Sequence, residues 1–144
     1  MAGFEQIVGL LKAAGETPRL RLLALLAEGE LSVKDITEIV GQSQPRVSRH
    51  LKLLADAGLV SRHAEGAWAY YRLAEGGEPG ELARWLADHI GAADPLLIAD
   101  KRALQRVRLE QEAAAAAFFA SVADSWDRLR GLHVPEAAIE QQIL

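Results

Sequence analysis

The chain contains no cysteine, and aromatic residues make up only 6% of its 144 positions. Without a thiol there can be no disulfide, no thiolate nucleophile and no metal site built on sulfur. Nor is there an uninterrupted apolar run approaching the roughly 20 residues that span a bilayer. The opening residues Met1-Ala2-Gly3-Phe4-Glu5-Gln6 lack the basic start and apolar centre of a secretory signal. The expectation is a cytoplasmic protein with no membrane partner. Catalytic signatures are missing as well. The glycine-rich residues 74–80 lack the Lys-Ser/Thr pair of a phosphate-binding loop, and there is no nucleophile elbow. Histidines stand at 50, 63, 89 and 133, and no two share the spacing of three to five residues that a helical metal site uses. The chain is therefore expected to be neither an enzyme nor a holder of a metal or cofactor.

Half of the residues are hydrophobic, enough for one buried core with an appended helix or tail. We expect a domain over residues 1–124 and a tail over 125–144. The formal net charge is −4, but it is spread unevenly. Between Ser43 and Arg72 there are five basic residues (46, 49, 52, 62 and 72) against two acids (56 and 65), a local surplus of three. A basic patch on an acidic chain fits a polyanionic partner, which the acidic remainder helps to orient.

That patch lies on the most informative stretch, residues 43–60. Ser43 suits a helix cap, Pro45 a first turn and Gly58 a left-handed stop. At about 100° per residue, Val47, Leu51 and Leu54 share one face, whereas Arg46, Arg49 and His50 fall on the opposite one. Just upstream, Ser32 is placed to cap a helix with Asp35 three residues on, and Val33, Ile36, Ile39 and Val40 recur at helical spacing. Only Gly41, Gln42 and Ser43 link the two, so the pair predicts a helix-turn-helix, whose second helix fits a DNA major groove. Downstream, two apolar and aromatic runs flank residues 64–67 and predict a hairpin. The fold class expected is mainly α with a small β-hairpin (α+β), a winged helix-turn-helix.

The residues Gln44-Pro45, Val47-Ser48-Arg49-His50-Leu51, Leu54, Ala57-Gly58-Leu59-Val60, Glu65-Gly66 and Tyr70-Tyr71-Arg72-Leu73 resemble the DNA-binding domain of the ArsR family of bacterial repressors. Residues 17–26 are similar to that family's second helix, and the resemblance covers roughly residues 4–90. It implies a homodimeric regulator on a palindromic operator in double-stranded DNA, released by an effector. The DNA-binding residues expected are Ser43, Gln44, Pro45, Arg46, Ser48, Arg49, His50 and Lys52 on the helix, and Arg62, His63 and Arg72 on the wing. Many members sense metals through a Cys-x-Cys pair at the start of the first helix of the motif. Ser32 and Lys34 stand there, so a non-metal effector is expected.

The rest of the chain is helical in pattern. Phe4, Ile7, Val8, Leu10 and Leu11 begin a first helix, and residues 17–26 carry leucine on more than one side, which predicts the most buried helix. Residues 74–80 predict a loop, followed by a helix to Ile90 with Leu82, Trp85, Leu86 and Ile90 on one face. From Leu96 to about Ala123 neither Gly nor Pro interrupts a helix whose Leu97, Leu104, Val107, Ala114, Phe118 and Val122 resemble a dimerisation seam. Trp126-Asp127-Arg128-Leu129-Arg130, Leu132-His133-Val134 and Glu136 resemble the entry to S-adenosylmethionine-dependent methyltransferase domains. That resemblance implies a lead-in to a further domain, with S-adenosylmethionine or S-adenosylhomocysteine as effector. The alternative function is a regulatory module of such a methyltransferase without DNA binding of its own.

Overall fold

A computed structural model describes residues 3–133, with side chains to residue 128. The elements, in order, are α1 (Phe4–Ala14), α2 (Thr17–Leu26), β1 (Leu31–Ser32), α3 (Val33–Val40), α4 (Gln44–Asp56), β2 (Val60–Glu65), β3 (Trp68–Leu73), α5 (Gly77–His89) and α6 (Pro95–His133). The three strands form one antiparallel sheet in the order β1-β3-β2. This is the expected winged helix-turn-helix. The chain divides into two compact units, residues 1–105 and 106–144.

In the first unit α2 is the centre. Leu22, Leu23, Ala24, Leu25 and Leu26 are all buried, and the helix touches α1, α4, α5 and β3. A helix apolar on every side can only be stable when it is surrounded. The core continues through Ile36 of α3, Val47, Leu51 and Leu54 of α4, Leu59, and Tyr71 and Leu73 of β3.

Three elements differ from expectation. β1 has two residues and exists only through its pairing of Leu31 with Tyr71 and Ser32 with Tyr70, so it carries no periodicity of its own. α5 begins inside the glycine-rich segment, at Gly77. A Cβ on Gly80 would lie 3.0 Å from the Ala74 carbonyl oxygen, so glycine here permits close approach rather than a loop. The buried face of α5 is accordingly Gly80 and Ala83, whereas Trp85 is exposed and stacks on His89 with centroids 4.0 Å apart. α6 runs unbroken to His133, past the helix end expected near Ala123 and through Gly131. Residues 134–144, with part of the methyltransferase resemblance, lie outside the described residues.

Two arginines on the buried helix need partners. Arg21 donates through Nε and Nη2 to both carboxylate oxygens of Asp100 at the start of α6, each at 2.7 Å. Asp100 is 2% exposed, and the hydrogen bond to it raises the Arg21 pKa further. Arg19 donates through Nε to the Ala13 carbonyl and through Nη2 to that of Lys12 at 3.2 Å, closing the end of α1. Its Nη1 meets Glu16 at 3.1 Å and Nδ1 of His50 on α4 at 3.3 Å. A guanidinium only donates, so Nδ1 must accept and the buried imidazole is neutral. Burial, followed by the charge of Arg19, lowers the His50 pKa from its ordinary 6.5.

Breaking one side of a buried ion pair leaves an uncompensated charge, at a cost of about 3 to 5 kcal/mol. Asp100→Asn should fall at the lower end of that range in urea unfolding, because the amide oxygen keeps one acceptor. The double variant Arg21→Met/Asp100→Leu should recover most of the loss. His50 gives a pH prediction with a definite sign. As pH falls through 6.5 the unfolded chain takes up a proton at this residue that the folded chain refuses, so stability declines below that pH. The decline levels off below the folded-state pKa. Urea midpoints compared at about pH 7 and about pH 5 should show this component in the native chain and lose it in His50→Gln.

Candidate nucleic-acid interface

The turn before α4 is made by Gly41, whose left-handed conformation (φ 69°, ψ 28°) lets its N–H reach the Thr37 carbonyl. Glycine takes this conformation without the penalty of a Cβ. α3 is capped as expected, Ser32 Oγ accepting from the Asp35 N–H at 3.1 Å. Ser43 stands in extended geometry at the head of α4, but its side chain makes no capping bond. α4 itself is 13 residues and ends at Asp56, and Gly58 just beyond it takes the left-handed conformation (φ 83°) expected of the stop.

Val47, Leu51 and Leu54 anchor α4 in the core, leaving Gln44, Pro45, Arg46, Arg49 and Lys52 exposed and Ser48 half-buried. Arg46 and Arg49 make no ion pair among the described residues, so their charges are free for an external anion. Lys52 is partly engaged, with Nζ 2.9 Å from Asp56 Oδ2. His50 does not belong with them. On the helical wheel it sits between Arg46 and the apolar face, and the acceptor role toward Arg19 draws it inward to 8% exposure. The structure therefore removes it from the DNA-facing set.

The wing divides into two faces by its register. Arg62 pairs with Tyr71, whereas His63 pairs with Tyr70 and Ser61 with Arg72. Side chains alternate along a strand, so Arg62 shares the face of buried Tyr71, and His63 and Arg72 lie on the other. Arg62 lines an open groove of about 670 Å³ together with Gln44, Ser48 and Lys52 of α4 and Lys34 and Trp68. His63 instead stacks on Tyr70 at 5.4 Å and meets Glu30 at 3.1 Å. Hence His63 and Arg72 are not brought into the groove with α4. Of the wing aromatics Tyr71 is buried, Tyr70 half-buried and Trp68 exposed.

Lys34 is a groove cation outside the set expected from the sequence. It lies with its Nζ 5.6 Å from the centroid of Trp68. The available signal was a lysine on the polar side of α3, next to its capped start. No group of three or more His, Asp or Glu side chains suited to a metal ion occurs among the described residues. Among them, too, no helix is long and apolar enough to cross a membrane.

An anchored amphipathic helix with free arginines outward, a tight glycine turn before it and a wing beside it form one continuous surface. Comparison with known proteins agrees with this geometry. The family described as bacterial regulatory protein, arsR family, matches residues 18–62. The arsenical resistance operon repressor of Escherichia coli is 43% identical over 67 residues, covering 46% of this chain and 57% of that protein. The chain thus spans little more than half of that relative's length. Among solved structures, the homodimeric winged helix-turn-helix domain Mb0332 of Mycobacterium bovis, a possible ArsR-family regulator, is 35% identical with a TM-score of 0.52, covering 58% of this chain and 73% of that one. The transcriptional repressor BigR of Xylella fastidiosa is 31% identical with a TM-score of 0.51, covering 61% and 89%. Helix order, wing and sequence together establish that this chain belongs to the ArsR family.

Proposed function

We propose that the chain is a DNA-binding transcriptional repressor that acts as a homodimer on a palindromic operator and is released by a non-metal effector. The observation that carries this reading is the outward face of α4. Gln44, Arg46 and Arg49 are exposed on a helix whose opposite side is fixed in the core. A helix fits the major groove, where arginine can bind guanine through two hydrogen bonds and glutamine can bind adenine. Lys34, Lys52 and Arg62 along the groove supply phosphate contacts that set register without reading sequence. The repressors among its relatives support the regulatory role.

The homodimer is supported by the described state of Mb0332 and by apolar surface on two helices. Phe4, Ile7, Val8 and Leu11 of α1 are exposed, as are Leu109, Phe118, Phe119 and Trp126 of α6. The non-metal effector rests on Ser32 and Lys34 standing where a thiol pair would be. S-adenosylmethionine or S-adenosylhomocysteine remains the proposal of the tail resemblance, and release of operator DNA by either compound is its check.

Titration against the gene's own upstream DNA tests the reading. Arg49→Ala and Arg46→Ala should each weaken binding, by about 1 to 3 kcal/mol where the arginine reads a base, with a flatter salt dependence where it neutralises a phosphate. Arg72→Ala, on the far face of the wing, should change affinity much less. Unaltered binding by both α4 variants would show that this face is not the interface. Sedimentation at micromolar concentration should give a dimer, and Phe118→Lys/Phe119→Lys should shift it towards monomer without unfolding, since both side chains are exposed.

A further inference from the structure

A half-enclosed cavity of about 210 Å³ lies beside the Arg21–Asp100 pair, inside the first compact unit. Thr17, Leu20 and Ala24 from one side of α2 form one wall, and Ile90, Leu96 and Leu97 form the other. Asp94 and Asp100 also line it, and three of their four carboxylate oxygens accept hydrogen bonds. Asp100 accepts twice from Arg21, and Asp94 Oδ1 accepts from the Leu96 N–H at 2.8 Å and more weakly from that of Leu97. Arg21 uses Nε and Nη2 on Asp100, and its Nη1 makes no hydrogen bond among the described residues.

These features define an occupant. The volume exceeds the roughly 150 Å³ of a dry cavity known to hold benzene, and falls short of the roughly 300 Å³ at which drug-sized sites begin. One ring with a small substituent fits. An anion would face two carboxylates, and a cation would give up its water to mainly apolar walls. Arg21 Nη1 can only donate, and the Thr17 hydroxyl on the same lining can donate as well, so an occupant with one acceptor oxygen finds a partner there. We propose that this cavity binds a compact, uncharged monocyclic molecule bearing one carbonyl or ether oxygen, and that this occupant acts as an effector at a site too small for the S-adenosyl compounds of the tail resemblance.

The route to DNA is short. Arg21 borders the cavity, and Arg19, two residues earlier on the same helix, holds His50 of α4. A ligand that moves α2 relative to the start of α6 therefore acts on the helix that carries the recognition helix. This second half rests on the DNA-binding reading; the binding itself does not.

The test uses the full chain and no DNA at first. Acetophenone and cyclohexanone should raise the melting temperature saturably, whereas benzoate and benzylamine should not. Toluene, which lacks the acceptor, should bind up to about tenfold more weakly, the worth of one hydrogen bond. Thr17→Trp, at an exposed position on the rim, and Leu97→Phe, within the wall, should each abolish the shift; Thr17→Trp serves if Leu97→Phe fails to fold. The binding proposal is overturned if neither ketone gives a saturable shift, if charged analogues do as well, or if a folded plugged variant binds as before. Operator titration with and without a bound ketone then tests regulation. Unchanged affinity in a protein that does bind operator ends the regulatory half, whereas absence of any operator binding rejects the earlier reading and leaves the cavity result standing.

Discussion

The first unit is governed by the enclosure of α2. A ten-residue helix with its leucines turned to every side must be packed all round, and its two arginines must then find partners within the fold. Burying a charge unpaired is far costlier than any single packing contact returns. Arg19 meets this demand with two carbonyls at the end of α1, the Glu16 carboxylate and the His50 ring. Arg21 meets it with a two-point pairing to Asp100. The same desolvation that makes these groups expensive also makes them selective. The arginines fix neighbours of α2 at defined places, α1 and α4 in the case of Arg19 and the start of α6 in the case of Arg21.

An acidic protein presents a basic face because the two kinds of charge are sorted by element. Within residues 43–72 the basic surplus falls on α4 and the wing, and the register of the hairpin sorts it again. Arg62 stands on the groove side, whereas Arg72 and His63 stand opposite. The wing tip of Glu65, Gly66 and Ala67 carries no cation, so the phosphate contacts of the proposed interface fall mainly to the α4 face and to Lys34 and Arg62. Affinity should accordingly depend on a small number of charges, and each should matter more than it would on a wing rich in arginine.

What the sequence made legible was whatever is encoded locally. The apolar period of α4, the cap of α3 and the turn between two alternating runs each involve residues within a few positions of one another, and each appears in the structure. What escaped depended on partners distant in the chain. β1 is defined by β3, and the start of α5 by how closely Gly80 approaches Ala74. His50 lay at the edge of the polar arc, and a contact with a residue 31 positions away decided its side. Arg72 is different in kind, because alternation with buried Tyr71 and Leu73 already put it on the outward face opposite Arg62, so its placement was present in the sequence.

The long helix changes character along its length. Near its start Ala103 and Leu104 are buried, whereas Leu109, Phe118, Phe119, Val122 and Trp126 are exposed. The alanine run 113–117 gives this second part a high intrinsic helix propensity, so it can be helical before it has a partner. Covering Phe118, Phe119, Val122 and Trp126 would contribute about 1.5 to 3 kcal/mol for each fully buried side chain. Two-fold symmetry doubles the set, because the same four residues come from each copy. The sum, roughly 12 to 24 kcal/mol as an upper bound, exceeds most estimates of the roughly 4 to 15 kcal/mol cost of association. A lone helix meeting an unlike surface would gain only half from its own side chains. The apolar content of α6 therefore favours self-association over a contact with a polar partner, which keeps the proposed dimer contact on a helix separate in sequence from α4, whose outward face is the proposed DNA contact.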